Sequence, residues 1–317
     1  MILGITISLI CLFLAFHKIQ WTEVASTLRR ANYFKLGAAI FFQLLSLAIA
    51  GFRWKTVINL PGVSWASTST SMMAGLMVNN LLPGRMGELV RPILLGQEVK
   101  RSRSFLFATV VVDRLSDLLV LVILALLSFS MFPSLPWARQ MSMIGGGILL
   151  LAFFLIGAFS HSTIELKLES MARPFVPARF YVRVIDILKK FRLGFQTVRS
   201  IRRGVAIFGL SWLVWGAWFF CLYYGLTAFE LDVPLWGMIL LLAVLNLGGL
   251  IPSSPGYAGT YHLLAIFVLS NFGIRKEEAL SFILVFHALW YVPQTFIGII
   301  ILIRKNLSIW QLLETKK

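Results

Sequence analysis

The stretch Asn79-Asn80-Leu81-Leu82-Pro83-Gly84-Arg85-Met86-Gly87-Glu88 returns in altered form 172 residues later, as Gly249-Leu250-Ile251-Pro252-Ser253-Ser254-Pro255-Gly256-Tyr257-Ala258-Gly259-Thr260. Both contain Pro-Gly-x-x-Gly, and both interrupt long apolar segments. Pro has no backbone donor and Gly is the poorest helix former after Pro, so a helix stops at such a pair. In a bilayer, broken backbone survives only where protein buries it or where it lines a polar cavity. Paired interruptions at matching places in two halves of a membrane chain point to a transporter's binding site.

Composition fits that setting. The chain of 317 residues is 58% hydrophobic and 13% charged, whereas a soluble domain carries about 25% charged residues. Its mean hydropathy is +0.84. A net charge of +16 then implies cytoplasmic loops and anionic lipid headgroups rather than nucleic acid. Cys11 and Cys221 have no redox or metal-ligand spacing and read as small core residues. Met1 leads directly into an apolar run, so the first segment is expected to be a retained helix, not a cleaved signal.

The fold expected is an all-α polytopic membrane protein, one transmembrane domain over 1–317. It has about six full spans, at 1–16, 33–53, 105–131, 138–160, 205–228 and 279–303, and two re-entrant broken-helix hairpins at 65–97 and 237–272. Ten basic residues against three acids make 161–203 a cytoplasmic loop. The same walk puts Arg53, Lys55 and the C-terminus in the cytoplasm, and makes 17–32 an amphipathic interfacial helix. The first hairpin then enters from the cytoplasm and the second from outside. Segments 33–131 and 205–303 become an inverted repeat.

Arg85, Glu88 and Arg91 follow at intervals of three, so a helix starting after Gly84 puts them on one face. Guanidinium groups bind phosphate through parallel hydrogen bonds, and a helix N-terminus adds free N–H groups. Phosphate is the natural guest; a structural triad pinning the hairpin is the other reading, and both can hold. Asp113 and Asp117, one turn apart and flanking Arg114, are expected to neutralise these arginines, because bare carboxylates at that depth are costly. The second tip offers Ser253, Ser254, Tyr257, Thr260 and Tyr261, then His262; it is polar and nearly uncharged. His287, Tyr291 and Gln294 share a helical face of the last span and are expected to line the same cavity. Asn79, Asn80 and Asn246 precede the tips, and their default role is to cap broken helix ends. The stripe Trp212, Trp215 and Trp218 reads first as packing and second as a slot for lipid tails.

Three motifs in this order, Asn79 to Arg91, Asp113 to Leu118 and Pro252 to Gly259, resemble the transmembrane region of lysylphosphatidylglycerol synthases, a family that includes stand-alone, flippase-like membrane proteins. The resemblance implies lipid translocation in the cell (inner) membrane of a prokaryote. It also implies that catalysis belongs to a soluble synthase domain, which is not expected after the last span here. His262 stands where the family often has Glu. Arg85 and Arg91 are expected to hold a lipid phosphate, with Glu88, Asp113, Arg114 and Asp117 around them. Ser253, Ser254, Tyr257, Thr260, His262 and His287 would meet the rest of the headgroup. Pro83, Gly84, Gly87, Pro252, Pro255, Gly256 and Gly259 would shape the tips. The cargo class expected is a phospholipid, aminoacyl-phospholipid or polyprenyl-phosphate-linked lipid, with no cofactor and no metal. The alternatives are a membrane-embedded enzyme acting on lipid phosphate or lipid-linked sugar, and a non-transporting partner of a lipid synthase.

Overall fold

The computed structural model describes residues 2–82, 85–132, 200–249, 251 and 253–307, with scattered residues between 137 and 151. In chain order the helices are α1 (Ile2–Phe16), α2 (Trp21–Arg30), α3 (Tyr33–Ile58), α4 (Trp65–Leu81), α5 (Gly87–Val99), α6 (Arg103–Met131), α7 (Ile201–Ala228), α8 (Leu235–Gly248), α9 (Thr260–Ser270) and α10 (Lys276–Arg304). A short helical turn at Pro255–Tyr257 lies between α8 and α9. The described residues contain no strand.

Local chemistry sets the ends of these helices. The Asn32 side chain accepts from the Lys35 N–H at 3.1 Å and opens α3, and Asn59 closes it in the left-handed region at φ 46°. Ser64 opens α4 in the same way, accepting from the Ser67 N–H at 2.9 Å. Such caps satisfy N–H groups that a helix start leaves without partners. Tyr33–Ile58, Ile201–Ala228 and Lys276–Arg304 are long and apolar enough to cross a membrane; α1 and α2, bent by 85° between them, make a broken fourth candidate. Leu9, Phe13, Phe34, Phe41, Phe296 and Ile303 face outward, as side chains in contact with acyl chains do.

The two segments expected to be hairpins are each a pair of helices broken near the Pro-Gly motif, α4–α5 and α8–α9. Gly75 and Gly87 let the first pair close: a Cβ on Gly87 would overlap the Gly75 carbonyl oxygen. In the second, Gly259 has φ 87° and lies against the α1 backbone at Ser8. Helices α3, α6, α7 and α10 cover the segments 33–53, 105–131, 205–228 and 279–303 expected to span; of these, α3, α7 and α10 are long and apolar enough to cross a membrane. Most of the expected span 138–160, residues 161–199 of the expected loop 161–203, and tip residues Pro83, Gly84 and Pro252 lie outside the described residues.

The centre is the antiparallel pair α3 and α7. The Asn32 N–H donates to the Ala228 carbonyl at 2.8 Å, Phe42 stacks on Phe220 at 5.2 Å, and Arg53 donates to Ser211 at 2.9 Å. Around this pair α4 packs on α10 and α8 on α6; α4 packs on α5 and α8 on α9; α5 packs on α6 and α9 on α10.

Gly87→Ala is expected to lower the thermal stability of the detergent-solubilised protein by about 1–3 kcal/mol through overpacking. Gly209→Ala, in open space on α7, is expected to be neutral or stabilising. Thermal unfolding of both variants checks this pair.

Candidate functional site

Asp113 and Asp117 stand one turn apart on α6, and Arg53 reaches both from α3. Its Nε donates to Asp113 Oδ1 at 2.9 Å and its Nη2 to Asp117 Oδ2 at 2.8 Å; Nη1 bonds Asp117 and Ser211. Arg91 of α5 donates to the other oxygen of Asp113 at 3.1 Å and to Glu88 at 3.3 Å, and its guanidinium lies 4.4 Å from the centre of the Trp54 ring. Arg114 links Glu88 at 3.2 Å to Asp117 at 3.3 Å. Three guanidiniums therefore meet three carboxylates in a closed lattice that ties α3, α5, α6 and α7 together. Arg53, Arg91 and Asp113 side chains are 1% exposed, and charges so deep persist only when paired and hydrogen-bonded.

A cavity of about 500 Å³ lies beside this lattice. One part of its wall is polar and charged: Arg53, Asn79, Arg85, Glu88, Arg114 and Asp117. Another part is aromatic: Trp215 and Trp218 from α7, Tyr257 and Tyr261 from the second tip, and Trp290 from α10. Leu47, Phe107, Leu118, Leu121 and Leu245 complete it with apolar surface.

Arg85 joins the two tips across this cavity. Its Nη2 donates to the Gly249 carbonyl at 2.5 Å, and its guanidinium lies 5.9 Å from the Tyr257 ring centre. It pairs with no carboxylate among the described residues. Arg85 and Tyr257 both have left-handed backbone, φ 53° and 60°, a conformation that costs a non-glycine residue roughly 1–2 kcal/mol. Each tip therefore holds its side chain in place through a strained turn.

The geometry sorts the sequence expectations. Arg85, Glu88, Arg114, Asp117 and Tyr257 reach the cavity, whereas Arg91 and Asp113 are sealed in the lattice behind it. Ser253, Ser254, Thr260, His262 and His287 do not line it. Ser254 ties the tip to α1, its N–H donating to Ser8 Oγ at 2.7 Å, and the Thr260 hydroxyl donates to the Tyr257 carbonyl at 3.1 Å. His262 accepts from the Gly259 N–H at 3.3 Å, and its ring lies 5.0 Å from His287, which stacks on Trp290. Ser254, Thr260 and His262 are thus engaged by backbone and by α1, whereas His287 packs among rings with its Nε2 buried and without a hydrogen-bond partner among the described residues. Asn79 does cap a broken end: its Oδ1 accepts from the Gly87 N–H at 2.7 Å. Asn246 instead bonds the Leu242 carbonyl of its own helix at 2.8 Å. Asn80 bonds Thr295 at 2.9 Å, fastening α4 to α10. Arg53, assigned from sequence to the cytoplasmic edge, is a buried member of the lattice. Of the tryptophan stripe, Trp215 and Trp218 line the cavity and Trp212 points outward. Among the described residues no group of three His, Cys, Asp or Glu is arranged to hold a metal ion.

Apolar helices around an internal charged and aromatic cavity define a multi-pass helical membrane protein with a polar site at its centre. Residues 1–298 match the family model described as the lysylphosphatidylglycerol synthase TM region, and the chain belongs to that family. It is 23% identical over 97% of both chains to a UPF0104 membrane protein of Pyrococcus horikoshii. It is 25% identical over 80% of both chains to a UPF0104 membrane protein of Methanothermobacter thermautotrophicus.

Asp113→Asn leaves Arg53 and Arg91 buried with too little compensating charge, and is expected to destabilise the protein by about 3–5 kcal/mol. Arg85→Ala removes a half-solvated group and is expected to leave the unfolding temperature near that of the parent. Thermal unfolding in detergent separates the two.

Proposed function

We propose that the protein is a flippase-like carrier that moves a phosphate-bearing lipid between the leaflets of the membrane. The observation that carries this is Arg85: a guanidinium on the cavity wall, between the two tips, with no carboxylate of its own among the described residues. The lattice beside it is charge-balanced, so Arg85 gives the cavity its excess positive charge. A phosphate placed there gains a charge-assisted hydrogen bond from Arg85 and a second cation in Arg114, whose side chain is 39% exposed. The apolar wall of Leu118, Leu121 and Leu245 gives the lipid's glycerol and acyl region a matching surface.

The inverted repeat of 33–131 and 205–303 is part of the same proposal. Several features support it. The central pair α3 and α7 is antiparallel. Three packings of one half have counterparts in the other: α4 on α10 with α8 on α6, α4 on α5 with α8 on α9, and α5 on α6 with α9 on α10. Arg85 and Tyr257, 172 residues apart, share the left-handed turn and face each other across the cavity. Two halves with one contact plan and opposite direction in the membrane are the usual basis of alternating access. Membership of a family described by a lipid synthase's transmembrane region supports a lipid as the cargo.

The test is purified protein in liposomes carrying headgroup-labelled phosphatidylglycerol, with an external quencher reporting leaflet exchange. Wild type is expected to exchange the lipid, Arg85→Ala to slow it at least about tenfold, a loss of roughly 1.4 kcal/mol of phosphate recognition, and Arg85→Lys to retain part of the rate. Exchange that is absent in wild type, or undiminished in Arg85→Ala, contradicts the proposal.

A further inference from the structure

The cavity's charges and its uncharged hydrogen-bonding groups are separate sets, and part of the second set lacks partners: Asn79 and Asn246 are bonded, whereas others on the wall are not. Glu88 is held by Arg91, Arg114 and Asn79; Asp117 is held by Arg53 and Arg114. The carboxylates on the wall are therefore all committed, and none is left to receive a cationic headgroup. Bringing an ammonium in means removing an arginine from its partner or placing a positive charge beside Arg85 and Arg114, which like-charge repulsion opposes.

Three of the neutral residues are in the opposite condition. Ser46 and Trp215 line the cavity, and Ser46 Oγ and Trp215 Nε1 are buried with no hydrogen-bond partner among the described residues. Gln294, 4% exposed and on the wall, makes no hydrogen bond among the described residues. A buried polar group without a partner costs about 1–3 kcal/mol, so a site flanked by two of them, with the Gln294 amide unbonded on its wall, suits a ligand that supplies partners. The aromatic faces of Trp218, Tyr257, Tyr261 and Trp290 surround the same space. Flat aromatic surfaces beside hydroxyl and amide groups suit a polyol, which presents C–H faces and O–H groups together, and rings that combine an apolar body with a polar tip serve such mixed surfaces.

We propose that the cargo's headgroup beyond its phosphate is uncharged and hydroxyl-rich, a glycerol or a sugar. The Arg85 end takes the phosphodiester, the Ser46, Trp215 and Gln294 set takes the hydroxyls, and cationic aminoacyl headgroups are selected against. This rests on the lipid-carrier reading for its cargo, but it is a statement about binding and can be measured without movement.

The experiment is binding of dioctanoyl lipids to the detergent-solubilised full chain, by native mass spectrometry or calorimetry. The probes are phosphatidylglycerol, a hexosyl phosphodiester of the same chain length, lysyl-phosphatidylglycerol, and phosphatidic acid as a headgroup-free control. The glycerol and hexosyl lipids are expected to bind at least about tenfold more tightly than the lysyl ester. Gln294→Leu and Trp215→Phe are each expected to weaken the glycerol and hexosyl lipids severalfold and leave phosphatidic acid unchanged. Equal or tighter binding of the lysyl ester overturns the proposal, as does an equal loss for all four probes in both variants. Binding in the expected order by a protein that exchanges no lipid in liposomes would remove the carrier reading and leave the headgroup class standing.

Discussion

Everything in the first half of the molecule depends on closing a set of charges in a place where charge is expensive. Arg53, Arg91 and Arg114 come from three helices and meet Glu88, Asp113 and Asp117 from two. No member can leave without stranding another, so the lattice fixes the position of α5 against α3 and α6. That in turn fixes the first tip, since α5 begins at Gly87 under the Asn79 cap. Arg85, two residues before Gly87, is thus presented by a rigid base while its own side chain pairs with no carboxylate among the described residues. A buried ion-pair lattice is weak evidence for stability; here its consequence is placement.

In the inverted-repeat reading, the two halves use one contact plan with opposite chemistry. Arg53 crosses α6 at Asp113 and Asp117; 172 residues later Gly225 crosses α10, and a Cβ there would press on Phe286 at 2.8 Å. The charged crossing of the first half corresponds to a close aromatic one in the second. Arg85 corresponds to Tyr257, and the lattice corresponds to the rings of Tyr261, His262, His287, Trp290 and Tyr291. One half therefore contributes charge to the cavity and the other contributes aromatic surface. In the proposed function a ligand lying between them meets both surfaces, and the proposed phosphate with an uncharged headgroup matches that pair.

The helices and their breaks were legible because Pro-Gly in a long apolar run has one physical meaning and because helix-breaking residues act locally. The identity of the charge partners was less so. Glu88, Asp113 and Asp117 could be matched on paper with Arg85, Arg91 and Arg114, one for one, so nothing in the sequence called for a fourth arginine. Arg53, between Phe52 and Trp54 near a span end, read as a residue on the cytoplasmic side. Only packing α3 against α6 shows that it is inside, and that its presence releases Arg85. The serines and histidines of the second tip misled for the opposite reason: a polar side chain in a membrane segment serves the tip's own exposed backbone as readily as a ligand, and spacing does not distinguish the two. Ser254 and Thr260 bond backbone, and His262 accepts from Gly259.

A carrier requires that the cavity between the tips open to both sides of the membrane in turn. Cys11 and Cys221 replaced by Ser and Ala leave a background in which Asn246→Cys, on the cavity wall, can be labelled by a membrane-impermeant maleimide from either face of oriented vesicles. A carrier is expected to label from both faces, with the ratio of the two rates shifting when phosphatidylglycerol is added to neutral-lipid vesicles, since a ligand that binds the two states unequally changes their populations. Labelling from one face only, unchanged by the lipid, would contradict it and leave the tips as a fixed binding or docking site.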